Sequence, residues 1–309
     1  MSGGATGLAV ATIEEARELG SLVPPEDILV MGGLTVDQAR AAAAGGWCIG
    51  VSTRELATAL AGADELVPVH LKIDTGMGRF GAPPEGALAL ARFIDQTPGL
   101  RLAGTWTHFA SSDSDDAMTR RQFELFTQTV NGFDVNPGLR HACNSMGAYN
   151  HPDFALDAVR CGIAMYGCEW PDAEPVLALR SVVTHVKSVE AGATVGYAAT
   201  WKAGGKAPNK SRVATVAIGY ADGVHRARSN KGQVLVRGRR APLIGVVSMD
   251  AITLDVTDVP GVQAGDVATL IGADGEERIA AGEVGEWSGT ISYEVLTSIG
   301  PRVERRYSE

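Results

Sequence analysis

The sequence predicts an α/β fold, a parallel (β/α)8-type barrel followed by a mostly antiparallel β domain, and two observations predict it. Residues 1–175 alternate short, largely apolar runs with helix-like segments, the pattern of parallel strands joined by crossover helices. Residues 176–309 change to Val- and Thr-rich runs separated by Gly, Asn and Asp turns.

In the first part, strands are expected at Gly7–Thr12, Asp27–Met31, Trp47–Val51, Val67–Asp74, Leu102–Ala110, Arg140–Asn144 and Val159–Tyr166. They are short and apolar on both faces, as strands of a buried parallel sheet are. Ile13–Glu18 and Thr35–Ala44 carry a Thr or Asp near the start, Glu and Ala, and the apolar spacing of amphipathic helices. Seven such strands sit one short of the about eight of a full barrel. In the second part, strands are expected at Ser181–Ser188, Val213–Gly219, Gly232–Val236, Leu243–Val247 and Val267–Ile271, with the polar, basic Lys202–Lys210 an exposed loop.

The composition bounds what such a chain does. With 45% hydrophobic and 20% charged residues over 309 positions, it is neither disordered, collagenous nor disulfide-stapled. Lys and Arg number 27 against 36 Asp and Glu, and the formal charge of −9 disfavours nucleic-acid or anionic-lipid partners. A small-molecule substrate is expected, with no nucleic acid, no membrane and no metal. Cys48, Cys143, Cys161 and Cys168 form no CxxC pair, no secretory leader is evident, and no apolar run approaches the roughly 20 residues of a bilayer span. Reduced thiols in a cytoplasm fit that pattern.

The most informative stretch is VHLKIDTGMGRFG, Val69–Gly81, where an apolar strand ends in Lys72, Asp74, Thr75 and Arg79 among three glycines. Residues just past a barrel strand's C-terminal end line the active-site face, and glycines let backbone turn tightly against a ligand. On spacing alone the stretch reads equally as a site or a well-capped loop. Asp113, Asp115 and Asp116 lack the turn glycine and bidentate Glu of a calcium loop and read as a solvated loop. Cys143, two positions from His141, reads as a buried structural thiol, and His70, His151, His185 and His225 as surface or satisfied histidines.

VHLKIDTGMGRFG resembles the alanine racemase family, the fold-type III pyridoxal-phosphate enzymes. The resemblance extends through THFASSD (107–113), HACNSMGAYNHPD (141–153), VRCGIAMYG (159–167), VGYAATW (195–201), IGYADG (218–223), SMD (248–250) and SYEVLTSIGPRVERRY (292–307). It implies a partial or complete (β/α)8 barrel with a β domain, a head-to-tail homodimer with shared sites, pyridoxal 5'-phosphate as cofactor and alanine as substrate. It implies two bases on opposite faces of the substrate carbon: a barrel lysine that carries the cofactor, and Tyr197 of the second subunit. A free tyrosine titrates near about 10 and needs nearby charge or hydrogen bonds to serve as a base. By the same resemblance His108, Arg160 and His141 form the chain of hydrogen bonds that assists Tyr197. Arg160 donates to the pyridine nitrogen, Arg79 contacts the cofactor's phenolic oxygen and the substrate, and Lys72 matches a carbamylated lysine. Asn144, Ser145, Gly162, Ile163 and Tyr293 fall in the cofactor and phosphate set, and Tyr220, Met249 and Asp250 frame the substrate.

The sequence departs from the family where the first βα unit, with the cofactor lysine, would stand. None of Lys72, Lys187, Lys202, Lys206, Lys210 and Lys231 follows a first barrel strand. The expectation is a barrel with its first βα unit missing, from a start internal to a longer reading frame, with open edges at Gly7–Thr12 and Val159–Tyr166. The alternative is a catalytically inactive or truncated homologue acting as a binding or dimerisation partner. Smaller departures are Ala198, where the family usually has Gly, and Ala251, where Gln often follows SMD.

Overall fold

A computed structural model describes residues 4–204 and 210–307. The chain divides between Gly162 and Ile163 into two compact units.

The first unit alternates strand and helix: β1 (Leu8–Val10), α1 (Ile13–Leu19), β2 (Ile28–Val30), α2 (Val36–Ala43), β3 (Cys48–Val51), α3 (Arg54–Leu60), β4 (Val67–Lys72), α4 (Pro84–Gln96), β5 (Leu100–Trp106), α5 (Asp116–Asn131), β6 (Leu139–Asn144), α6 (Ser145–Asn150) and β7 (Ala158–Arg160). The strands pair in parallel in sequence order, β1 to β7, which is the succession of a (β/α) barrel with β1 and β7 as its terminal strands. Several of these helices begin where a side chain satisfies a free amide. Thr12 accepts from Glu15 N while the Glu15 carboxylate takes Thr12 N, and Thr53 and Asp115 cap α3 and α5 through their side chains. One core fills this unit, with Ile28, Ile49, Val69, Leu71, Ala142 and Phe126 all buried.

Three readings of the sequence are corrected. The run Leu102–Ala110 leaves the sheet after Trp106, and further on the Ala110 amide goes to the Gln122 side chain, not to a neighbouring strand. The run Val159–Tyr166 is strand only to Arg160. The Gly162 amide goes to Ser145 Oγ at 2.9 Å, not to a sheet ladder, and a 3-10 turn follows at Ile163–Tyr166. The acidic run at 113–116 is not simply a solvated loop, since Asp115 caps α5 and Asp116 lies within it, paired with Arg120.

The second unit is antiparallel. It comprises β8 (Leu179–Glu190), β9 (Thr194–Val195), β10 (Trp201–Lys202), β11 (Lys210–Val216), β12 (Gln233–Val236), β13 (Arg239–Ile244), β14 (Ile252–Asp255), β15 (Val267–Asp274), β16 (Glu277–Ile279), α7 (Ala281–Ser288) and α8 (Ser292–Thr297). The main sheet runs β12-β13-β14-β11-β8-β15-β16, and β12 also pairs with β15, so the sheet closes on itself. Val234, Leu235, Val236, Leu254 and Leu270, none of them measurably exposed, fill its interior. The strand expected at Leu243–Val247 starts earlier, at the charged Arg239, and stops before Gly245, whose φ of 72° turns the chain out of the ladder. Of the expected loop at Lys202–Lys210, residues 205–209 lie outside the described residues. The short β9–β10 pair carries Tyr197 on its connecting turn. Among the described residues no helix is long and apolar enough to cross a membrane.

Candidate active site

In the first unit the sequence-predicted residues gather at the C-terminal ends of successive strands. Lys72 is the last residue of β4, His108 follows β5 by two positions, Asn144 ends β6, and Arg160 ends β7. That is the end of a barrel where strands deliver side chains to a common mouth.

Arg160 is the hub of this group. Its Nη1 is 2.7 Å from His141 Nδ1, and its Nη2 donates to Thr107 O at 2.8 Å and Ala142 O at 2.9 Å, with His108 Nδ1 at 3.4 Å. The guanidinium also lies over the Trp106 ring, 4.9 Å from its centroid. Its Nε is buried and has no hydrogen-bond partner among the described residues. Burial lowers the Arg160 pKa to about 10, with Cys143 acting the other way, and leaves the group charged at neutral pH.

The imidazoles around it are neutral. Burial, then Arg160, Arg79 and Lys72, bring the His108 pKa to about 4. Burial, then Arg160 and His70, push His141 well below its ordinary value. His70, buried in β4, is lowered to about 4 by burial, then Arg101 and Arg160. His141 and His108 accept from the arginine and His70 meets His141, none of them adding charge beside it.

Lys72 is 1% exposed, and its Nζ has no hydrogen-bond partner among the described residues. The ammonium sits 3.3 Å from the Phe80 ring centroid and 5.0 Å from that of Trp106. Burial, then Arg79, lowers its pKa to about 8, with Asp74 opposing and Arg160 adding to the fall.

Beyond Lys72, Asp74 organises the glycine loop. Its carboxylate accepts from Gly76 N at 3.1 Å and Gly78 N at 3.0 Å. Burial would raise its pKa, but these amides and that of Met77 hold it below the usual carboxylate range. Gly81 has φ 145°, and a Cβ there would lie 2.7 Å from Asp74 N. Arg79 is exposed, 5.6 Å from the Phe80 centroid.

Asn144 and Ser145 act locally as well. Asn144 Oδ1 accepts from Gly147 N, capping α6, and from Ser112 Oγ at 2.7 Å. The buried Ser145 presents its hydroxyl beside the Gly162 amide, and a Cβ on Gly162 would meet nothing within 4 Å, so this pair borders open space. Cys143 is 0% exposed, and burial pushes its thiol up to about 11, an inert environment for a nucleophile.

In the second unit Tyr220, Met249 and Asp250 are brought together. Tyr220 N donates to Ser248 O and Ala221 N to Met249 O, both at 3.0 Å, and Gly219 permits the approach, since a Cβ there would lie 2.3 Å from Met249 O. Arg302 clamps the cluster, 2.8 Å from Asp250 and 3.1 Å from Asp222. Tyr197 is 69% exposed on its turn, and Tyr293, in the first turn of α8, is 42% exposed. Ile163 is buried in the 3-10 turn that opens this unit.

Sequence reasoning missed several residues that hold these side chains. Gln122 is buried, takes the Ala110 amide, and donates to His108 O at 3.2 Å. Thr75 and Thr107 share a 2.7 Å hydroxyl contact. His70, read as a surface or satisfied histidine, is a satisfied one, and what the sequence did not show is its partner, the candidate site residue His141, 2.9 Å away.

A parallel barrel layer and a closed antiparallel sheet, with a guanidinium held among neutral imidazoles at the strand ends, define the barrel-plus-β-domain class of enzymes. Comparison with known proteins is more specific. The family model for the alanine racemase N-terminal domain matches residues 1–169, and that for the alanine racemase C-terminal domain matches residues 176–307. The chain is 40% identical to an alanine racemase of Sorangium cellulosum, with 99% of this chain and 85% of the relative covered. An alanine racemase structure from Bartonella henselae with covalently bound pyridoxal phosphate superposes with a TM-score of 0.87 at 27% identity, covering 99% of this chain and 86% of that one. A histidine racemase from Leuconostoc mesenteroides superposes equally well, TM-score 0.87 at 28% identity, covering 100% and 85%. The chain belongs to the alanine racemase family, a family of isomerases.

Proposed function

We propose that this chain is a cytoplasmic, pyridoxal-phosphate-dependent racemase that interconverts L- and D-alanine and so supplies D-alanine for peptidoglycan. It acts as a homodimer in which Tyr197 of the second copy is one of two bases. The observation that carries this reading is Arg160, with its Nη groups held by His141, Thr107 and Ala142 while a buried Nε–H is left over. A buried donor without a partner costs free energy unless something accepts from it.

When bound, pyridoxal phosphate takes up the electron pair left as the substrate's α-proton departs. The residues present fit such a group. Arg160 Nε–H would donate to the pyridine nitrogen, and because a guanidinium keeps its proton, that nitrogen stays unprotonated. Ser145 Oγ and the backbone beside Gly162 would hold the phosphate, and Asn144 fixes the helix that starts beside them. Arg79 would face the phenolic oxygen and the substrate carboxylate.

Lys72 supports a second feature of this reading. A lysine with pKa about 8 has roughly a tenth of its amine neutral at pH 7, far more than an ordinary lysine. The neutral Nζ attacks carbon dioxide, a C–N bond forms, and the proton lost from nitrogen goes to solvent. The resulting carbamate converts an unpartnered cation beside Arg79 into an anion that neutralises and orients it.

In this reading residues 1–175 form the cofactor-holding barrel domain, and residues 176–309 supply Tyr197, Tyr220, Met249 and Asp250. Tyr197 stands well exposed on its turn, open to a neighbouring copy. His108, His141 and Arg160 set the charge that this tyrosine meets: one guanidinium cation and two neutral rings. Tyr220 and Met249 suit a small side chain such as alanine.

The experiment that tests this reading is α-proton exchange of L- and D-alanine in D2O by the 309-residue chain with added pyridoxal phosphate, against a cofactor blank. Exchange above the blank with interconversion of the enantiomers supports the racemase. Exchange equal to the blank refutes racemisation by this chain.

A further inference from the structure

We propose that His70 is a positioning residue that fixes the tautomer of His141, and through it the orientation of the Arg160 guanidinium.

The argument is one of donors and acceptors. A guanidinium has N–H donors and no acceptor. His141 Nδ1, 2.7 Å from Arg160 Nη1, must therefore offer a lone pair. A neutral His141 has one ring proton, which this contact places on Nε2. That Nε2 is 2.9 Å from His70 Nδ1, so His70 must accept there and carry its own proton on Nε2. With His70 protonated on Nδ1 instead, two N–H groups would face each other, or His141 would turn a proton onto the arginine.

The surroundings are built around this pair. His70 and His141 are 7% and 2% exposed. Their rings meet edge to face at 5.1 Å, and His141 stacks on Trp106 at 5.9 Å with 5° between planes. The register of β4 against β5 shifts between Val69 and His70, an irregularity of the kind that re-aims a side chain. The residue paired with His70 is Gly104, where a Cβ would lie 2.5 Å from His70 Nδ1 and 2.8 Å from Leu139 O. Only glycine leaves room for the ring in this position. The relay thus runs from Gly104 through His70 and His141 to Arg160, and it holds the plane in which Arg160 Nε–H is presented. The inference rests on the proposed function only for the meaning of that Nε–H, as donor to a cofactor ring nitrogen.

The test is nitrogen-15 NMR of the histidine and arginine side chains in the 309-residue chain at neutral pH, in wild type, His70→Leu and His70→Asn. Expected in wild type are His70 and His141 both as Nε2–H tautomers, with a slowly exchanging Arg160 Nε–H. In H70L, His141 should lose its single tautomer and Arg160 Nε–H should exchange at least about tenfold faster. H70N, whose Oδ1 can accept in place of Nδ1, should restore both signals. Either histidine as the Nδ1–H tautomer or as an imidazolium in wild type overturns the proposal. So does an H70L chain, folded by circular dichroism, in which His141 and Arg160 are unchanged. Should H70L fail to fold, a folded H70N without the wild-type signals overturns it equally. Addition of pyridoxal phosphate keeps the two ideas apart: if the tautomers are as proposed but the cofactor does not bind, the functional reading fails and the relay stands.

Discussion

Acidification should destabilise this protein well before its carboxylates titrate, because it must fold with neutral imidazoles inside the first unit. His70 and His108 fall from 6.5 to about 4 on folding, burial being the first cause for each. The unfolded chain therefore takes up protons between these values while the folded chain does not, and stability is present above 6.5 and lost as pH falls. Going from about pH 7 to about pH 5, each ring costs roughly 2 kcal/mol, or about 4 kcal/mol for the pair, with His141 adding in the same direction. Other shifted groups leave this window clear: Asp74 acts below its ordinary value of 3.8, and Lys72 above about 8. Urea unfolding of the first unit, followed by Trp47 and Trp106 fluorescence in a chain with the other tryptophans replaced, should show the loss. In His108→Asn the drop should shrink by roughly 2 kcal/mol. A first unit equally stable at both values, or a drop unaffected by H108N, would refute the claim that these imidazoles are buried neutral.

Other outcomes follow from individual positions. Ala198 sits at φ 57°, ψ 11° on the Tyr197 turn, where a Cβ is strained, so Ala198→Gly should stabilise the second unit by about 1 kcal/mol in thermal melts. Gly81→Ala should have the opposite sign, losing about 2 kcal/mol or more in urea titrations, because its Cβ would lie 2.7 Å from Asp74 N at φ 145°. Growth with carbon-13 bicarbonate should give a carbamate resonance that disappears in Lys72→Met; persistence of the signal would place it elsewhere. In active holoenzyme Tyr197→Phe should cut proton exchange from one alanine enantiomer by about 10²–10⁴-fold, and unchanged exchange from both would exclude this tyrosine as a base.

The sequence makes the strand succession legible because a parallel sheet buried on both faces leaves apolar runs such as Ile28–Val30 and Val67–Lys72, with helices between. Its boundaries are less legible wherever a side chain diverts a backbone amide. Nothing local to Gly162 says that its N–H will go to Ser145, or that Ala110 will be taken by Gln122, so hydrophobic pattern alone runs both strands too long. Likewise β13 opens on Arg239 and Arg240. Arg240 is accommodated by Glu277 and Glu283, which stand far off in sequence.

The site divides along the same line. Lys72, Arg79, His108 and Arg160 are legible because motif and strand end coincide, and the glycines of TGMGRFG announce backbone conformations that the loop then adopts, with Gly76, Gly78 and Gly81 all at positive φ. The residues that decide protonation are not legible in that way. His70 is one polar member of an apolar strand, and its role depends on which atom of His141 it meets across β5, and on a glycine in that intervening strand. Gln122 is one polar position on the buried side of a helix. A sequence records which groups can donate and accept. Which of them must stay neutral is set by the enclosure around Arg160, where one cation is kept and the neighbouring imidazoles lose the ability to bear a second, and only the fold brings that enclosure together.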